Sequence, residues 1–331
     1  MKRMKKTYAI LAACLCAAAC YPDYVGDYEV VAAGFANQSD VRSVVVGEGM
    51  SFSTGVALGG VISNDSDRKV SFSTDYSLVD DDLLAGFKVH TFTYIQELTK
   101  DMTSLEPLPA GMYTLTTDGK PGVAVIKAGT HLGQIKVTLD SASFLSDVAN
   151  VKPRYVLPLR LTSADGCSLM DGRETTCIGV RYECLLFGNW WHGGVTVVTD
   201  ASGNEVETIS YPTEVPQADT KVWSLTTVAP YSVTANAIGS ELNGSAARMT
   251  LTLSPDGKVT VGGVEGQSVI PEPDGDSYYN APRLLQDRKI YLRYKYVSGG
   301  LTYHATDTLT FRNRIRDGVN EWQDENQENY K

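Results

Sequence analysis

Apolar and polar side chains alternate with period two along most of this chain, and glycine, proline, asparagine or aspartate breaks the alternation every eight to twelve residues. In "MTLTLSPDGKVTVGG", Met249, Leu251 and Leu253 alternate with Thr250, Thr252 and Ser254 before a Pro255-Asp256-Gly257 turn, and Val259 and Val261 resume the pattern. In "KIYLRYKYVSGGLTYHATDTLTF", Ile290, Leu292, Tyr294 and Tyr296 share one face and Gly299-Gly300 marks the bend of a hairpin. The N-terminal half adds "RKVSFSTD", "GMYTLTT", "VAVIKAG", "QIKVTLD" and "YVLPLRLTS". Helical spacing is confined to short pieces such as "SLVDDDLLAGF" and "SASFLSDV". The expected fold class is therefore all-β and antiparallel.

The 331 residues are enough for two domains, and 43% hydrophobic content can fill two cores. The boundary falls between Glu183 and Gly188, giving a β-sandwich domain over 27–184 and a second β domain over 185–331. With 29 basic against 39 acidic residues and no basic run within the body, the chain excludes a nucleic-acid partner.

The N-terminus reads as an export signal over 1–19: "MKRMKK" is a basic segment, "TYAILAACLCAAA" a short apolar one, and "AAAC" ends at Cys20. Signals of this form resemble those of bacterial lipoproteins. That implies a chain acylated at Cys20, with a linker over 20–26, anchored to the outer membrane by its lipids. Cleavage would remove Lys2, Arg3, Lys5 and Lys6 and leave 25 basic against 39 acidic residues, an acidic body that stands off an anionic membrane. The acids of "CYPDYVGDYE" loosely resemble those following the cysteine in surface-exposed lipoproteins of Bacteroidetes.

Three cysteines remain. Cys167 and Cys177 flank an Asp171-Gly172 turn and are a candidate disulfide across a hairpin; Cys184, at an apolar position of "VRYECLLF", reads as a buried thiol. No histidine among His90, His131, His192 and His304 stands at ligand spacing from a cysteine, so no metal site is expected, and no cofactor motif occurs.

The stretch "LPAGMYTLTTDGKPGVAVIKAGTHLGQIKVTLD", followed by "YVLPLRLTS", resembles the β-sandwich module at the N-terminus of many Bacteroidetes lipoproteins, some surface endoglycosidases among them. The resemblance covers roughly 25 to 183. It implies an immunoglobulin-like sandwich followed by a companion domain, here read as a lipocalin-like small antiparallel β-barrel or sandwich. It further implies a cell-surface role in glycan utilisation beside an importer of the starch-utilisation type. No binding motif transfers with it residue by residue.

Catalysis finds no support in the sequence. The Asp80-Asp81-Asp82 run lacks the alternating spacing of a calcium loop and reads as a helix start, and no nucleophile elbow or phosphate loop is present. Sugar binding needs exposed aromatic rings with amides or carboxylates beside them. "PEPDGDSYYNAPR" places Tyr278, Tyr279 and Asn280 in a loop. In "GNWWHGGV" neighbouring residues face opposite ways, so Trp190 and Trp191 cannot share a face. The apolar phase Phe187, Trp191, Val195, Val197 turns Trp191 inward and leaves Trp190 outside with His192, as a sugar platform, unless Gly193-Gly194 form a bulge. The alternative is that Gly-x-Trp opens a lipocalin-like barrel, which puts Trp190 inside. Trp223 joins the candidate glycan-binding set, although its side of the strand is ambiguous, and Trp322 is expected to pack back on the surface. The Arg312, Arg314, Arg316 alternation is expected to pair with the acids that follow it. The sequence reading is thus a non-enzymatic surface lipoprotein that captures oligosaccharide or polysaccharide, N-glycans included, for an importer complex. The alternative is a structural or adhesive protein whose partner is a protein such as an importer subunit.

Overall fold

The computed structural model describes residues 28–211, 220–240, 242–243 and 247–324; the export signal, Cys20 and the linker lie outside the described residues. The all-β expectation is borne out. The principal strands of the first half are β1 (Ala32–Phe35), β2 (Ser39–Val45), β3 (Ser51–Gly59), β4 (Arg68–Thr74), β5 (Tyr113–Thr117), β6 (Val123–Ile126), β7 (Leu132–Leu139), β8 (Tyr155–Asp165) and β9 (Thr175–Glu183). They form two sheets, β1-β3-β7-β5 and β2-β9-β8-β4-β6, with β2 and β9 paired in parallel. Their facing sides enclose a core of Phe35, Val56, Val70, Ile135, Leu157 and Val180. Two short helices, α1 (Asp81–Lys88) and α2 (Thr93–Thr99), cover the outer side of the second sheet with Phe87 and Ile95. The acidic run starts α1: Asp80 accepts from the Leu83 amide at 2.8 Å, and Asp81 and Asp82 lie in the first turn, where the helix dipole favours them.

The second half comprises β10 (Gly188–Thr199), β11 (Glu205–Tyr211), β12 (Lys221–Ala229), β13 (Ser232–Ala235), β14 (Met249–Leu253), β15 (Val259–Gly263), β16 (Tyr278–Tyr279), β17 (Lys289–Ser298) and β18 (Leu301–Arg316). One antiparallel sheet runs β15-β14-β13-β12-β10-β18-β17, with β11 on β10 and β16 on β17. Lys258 bridges to Tyr278 and nearly closes the sheet into a barrel. Its interior holds Trp190, Trp223, Met249, Ile290, Leu292, Tyr294 and Tyr296, so the strand face assigned from sequence in "KIYLRYKY" points inward.

The disulfide expectation is corrected. Cys167, Cys177 and Cys184 are all free. The turn at Asp171-Gly172 does not join two strands of one sheet: Ser168–Leu169 pairs in parallel with β1 in the first sheet, whereas Cys177 lies in β9 of the second. Cys167 borders the inter-sheet core and Cys177 faces the helices, so the sulfurs lie on different sides of a sheet. Burial pushes the Cys184 thiol up to about 12, as expected of an inert core thiol.

The two halves meet around one carboxylate. Glu48 accepts from Arg314 at 2.7 and 2.8 Å and from Arg288 at 2.5 Å, and both guanidinium groups are almost fully buried. Glu321 takes the remaining side of Arg314 and pairs with Arg316, so the expected arginine–acid pairing is met at Arg314 and Arg316. Arg312 instead lies over Trp191. Beyond this network the Ser43 amide donates to Asp317, and the Cys184 amide donates to the Thr227 hydroxyl at 3.1 Å. Trp322 is 53% exposed, against the expectation that it packs down, because the chain beyond Glu321 touches the barrel through Asp324 and the Leu285 amide.

Burial alone would raise the Glu48 carboxyl, but the hydrogen bond and charge of Arg314, then of Arg288, outweigh it and hold the group at about 2 instead of 4.5. A depressed folded value means stabilisation that is complete above the unfolded value and is lost as pH falls from 4.5 through about 2. Glu48→Ala leaves two buried guanidinium groups without this partner and is expected to cost about 3 kcal/mol. Thermal unfolding of wild type and variant should differ at neutral pH and converge as pH falls through that window.

Candidate functional site

The barrel interior carries polar side chains as well as apolar ones. Asp307, 1% exposed, accepts from Tyr211 at Oδ1 and from Tyr294 at Oδ2, the latter at 2.6 Å, and His192 Nε2 stands 3.0 Å from the same Oδ2 without hydrogen-bonding to it. The His192 ring stacks on Trp223 at 4.1 Å and on Tyr211 at 5.0 Å. Burial and then the charge of Asp307 push both tyrosine hydroxyls upward, so they stay protonated and donate. Tyr294 also accepts from the Gly239 amide at 2.8 Å. Asp307, His192, Tyr294 and Trp223 are buried and Tyr211 is partly so, and the cluster fastens β10, β11, β17 and β18 together.

That interior corrects three expected platform residues. Trp190 is fully buried, its Nε1 donating to the Leu186 carbonyl at 3.0 Å and its ring edge-on to Phe311. His192 and Trp223 are buried beside it. The phase error arose at Phe187, which belongs to the turn before β10 and not to its alternation. Gly188, at φ +130, breaks the phase there, and a Cβ at that point would meet the Asn313 carbonyl at 3.0 Å. The lumen also accepts His192 and Thr196, so the apolar residues Val195 and Val197 lie on the outer phase. The barrel reading of Gly-x-Trp, with Trp190 inside, is the one the structure adopts. The bulge sits on the partner strand: Asn189 pairs with Asn313 and Trp190 with Phe311, leaving Arg312 as the extra residue.

The loop residues divide. Tyr279 is buried in the barrel wall. Asn280 braces its own loop, donating to the Asp287 carbonyl at 2.9 Å and accepting from the Lys289 amide at 2.7 Å, so it is no free sugar ligand. Tyr278 is the one exposed aromatic ring of the candidate set, at 48%, and stacks on Tyr291 with ring centroids 4.7 Å apart. Their row continues across the outer face as Lys258, Tyr278, Tyr291 and Thr308. The next rows bring Lys289 opposite Thr310, itself opposite Trp191, and Arg293 opposite Thr306. Thr306, Thr308 and Thr310 thus form a hydroxyl column between a tyrosine pair and a tryptophan, and none of the three hydroxyls is hydrogen-bonded among the described residues. Strands lie ~4.8 Å apart, so Tyr291 and Trp191 stand two strands, on the order of 10 Å, from each other across that column. The expectation that Trp191 faces the core is corrected, since it is half-buried on the outer phase; Tyr291, a strand tyrosine of the kind expected in core or cross-strand packing, makes a cross-strand stack on the outer face, as its phase opposite Ile290 and Leu292 marks.

A second concavity of about 600 Å³ opens between the halves, lined among others by Gly47, Leu185, Tyr231, Leu253, Asp256 and Tyr279. Asp256 is the single carboxylate of its lining, and hydrolysis of a glycoside needs two flanking the bond. Among the described residues no three His, Cys, Asp or Glu side chains gather as metal ligands.

Residues 27–167 match a family model for an N-terminal domain, and this match bears out the β-sandwich resemblance read over 25 to 183. A comparison with curated proteins finds no match. Among solved structures, a protein of unknown function from Bacteroides ovatus has a TM-score of 0.62 at 20% identity, covering 90% of this chain and 98% of that one. An auxiliary nutrient binding protein from Bacteroides thetaiotaomicron has a TM-score of 0.40 at 15% identity, covering 85% and 95%. The endoglycosidase EndoBT-3987 of the same species has a TM-score of 0.28 at 14% identity, covering 44% and 28%. At 20% identity the likeness to the Bacteroides ovatus protein of unknown function describes fold alone.

Truncating Trp190 empties a sealed site, whereas Trp191 is only partly covered. Trp190→Ala is expected to cost about 3–5 kcal/mol, and Trp191→Ala less than half of that. Denaturant unfolding of the two variants, followed by circular dichroism, checks the order.

Proposed function

We propose that this protein is a non-catalytic, lipid-anchored surface protein that binds oligosaccharide or polysaccharide on the outer face of its barrel and assists capture for an outer-membrane importer. The observation that carries the reading is the stack of exposed Tyr278 on half-buried Tyr291, beside a column of Thr306, Thr308 and Thr310 whose hydroxyls have no hydrogen bond among the described residues. Rings meet the C–H faces of a sugar, and free hydroxyls meet its hydroxyl groups at the same level. Support of a second kind comes from similar folds: one is named an auxiliary nutrient binding protein and another, from Bacteroides ovatus, a putative carbohydrate binding protein. The lone carboxylate of the inter-domain concavity and the burial of Asp307, out of a substrate's reach, both favour binding over hydrolysis. Anchoring through Cys20 would hold the sandwich next to the membrane and present the barrel outward.

Full-length protein in detergent should be retarded in native gels containing a glycan it recognises. Tyr291→Ala should weaken that retardation at least tenfold, about 1.4 kcal/mol, with unchanged thermal stability; unchanged affinity would move the site elsewhere. Cys20→Ala should release the protein from the membrane fraction; retention there would argue against the acyl anchor.

A further inference from the structure

We infer that the glycan bound on this face is anionic, its uronate or sulfate groups held by Arg293, Arg312, Lys289 and Lys258; the inference rests on the glycan-binding reading of the same surface. The chain as a whole is acidic, with a formal charge of −10. Yet four cations stand around the tyrosine stack and threonine column, and of the nearby carboxylates Asp274 is paired with His304. Lys258 pairs across from Tyr278, and Lys289 and Arg293 flank Tyr291 at i−2 and i+2 on the same outward phase of β17. Arg312, displaced from the ladder by the bulge, lays its guanidinium 4.8 Å above the Trp191 ring.

The absence of an ionic partner among the described residues sets these cations apart from the arginines at and beside the junction of the two halves. Arg181, Arg288, Arg314 and Arg316 each sit within 4.0 Å of a carboxylate. Lys258, Lys289, Arg293 and Arg312 have no such partner among the described residues. Asp276 flanks the row, and it too forms no ion pair. The Arg293 stem runs over Gly275, which takes φ +135 and where a Cβ would lie 3.0 Å from its Cδ. A guanidinium presents a planar fork to a carboxylate or sulfate. Rings at the base, hydroxyls between them and unpaired cations around the rim together match a chain that alternates sugar faces with negative groups, and a neutral glycan would leave the cations without a counter-charge.

The test uses the full-length protein in detergent with polygalacturonate, chondroitin sulfate, and neutral mannan and xylan, each titrated at low and high sodium chloride. Variants are Arg293→Gln/Arg312→Gln, which keeps both stems' bulk, and Tyr291→Ala. Tight binding of polygalacturonate or chondroitin sulfate, lost at least tenfold in the double variant and weakened by salt, is the expected result. The two anionic probes separate carboxylate from sulfate as the group recognised. Binding of mannan or xylan that Tyr291→Ala abolishes and the double variant leaves intact overturns the anionic assignment while glycan capture stands. Binding of no probe, or binding that neither variant alters, overturns both. Equal melting temperatures of the three proteins keep loss of fold from imitating loss of affinity.

Discussion

Glu48 is a single carboxylate placed between two guanidinium groups that belong to the other half of the chain, and the relation of barrel to sandwich depends on it. Without that charge, Arg288 and Arg314 would be buried cations at the junction, a state far costlier than an open interface. With it, the end of β18 lies against the sandwich, where Asp317 caps the Ser43 amide. The two cores remain separate, but Val45 of the sandwich belongs to the barrel's apolar cluster, so charge and packing act at the same seam.

The barrel uses polar groups inside where an ordinary sheet would put them outside. Asp307 is tolerated in the lumen because Tyr211 and Tyr294 each donate to one of its carboxyl oxygens, so that neither acceptor is buried without a donor. The cluster fixes four strands at the level of the outer tyrosine pair. The proposed binding face is therefore rigid: its rings stand on strands that are pinned from within, and ordering them costs little when a ligand arrives.

Much of this was legible in the sequence, and the failures have physical causes. Alternation in Ile290, Leu292, Tyr294 and Tyr296 gave the correct inward face, because a regular hairpin preserves parity. The acidic run starting α1 was legible for the same local reason. Trp190 was misplaced because Phe187 looked like part of β10, and because a lumen that accepts histidine and threonine defeats the rule that the apolar phase is the buried one. The disulfide failed since two cysteines ten residues apart went to different sheets, a tertiary decision that spacing does not encode. Glu48 carried no signal whatever: its partners lie 240 and 266 residues away.

The extra residue at Arg312 has a consequence for how chains of this shape can change length. Before it, Leu309 and Phe311 face the lumen; after it, Arg314 carries the inward phase on to the junction, because the unpaired residue shifts the parity of β18 by one. A descendant lacking Arg312 would restore plain alternation, with Phe311 in, Asn313 out and Arg314 in, so the tie to Glu48 would survive while the cation over Trp191 would go. At this one position the outer face can therefore change by inheritance while the seam between the halves does not.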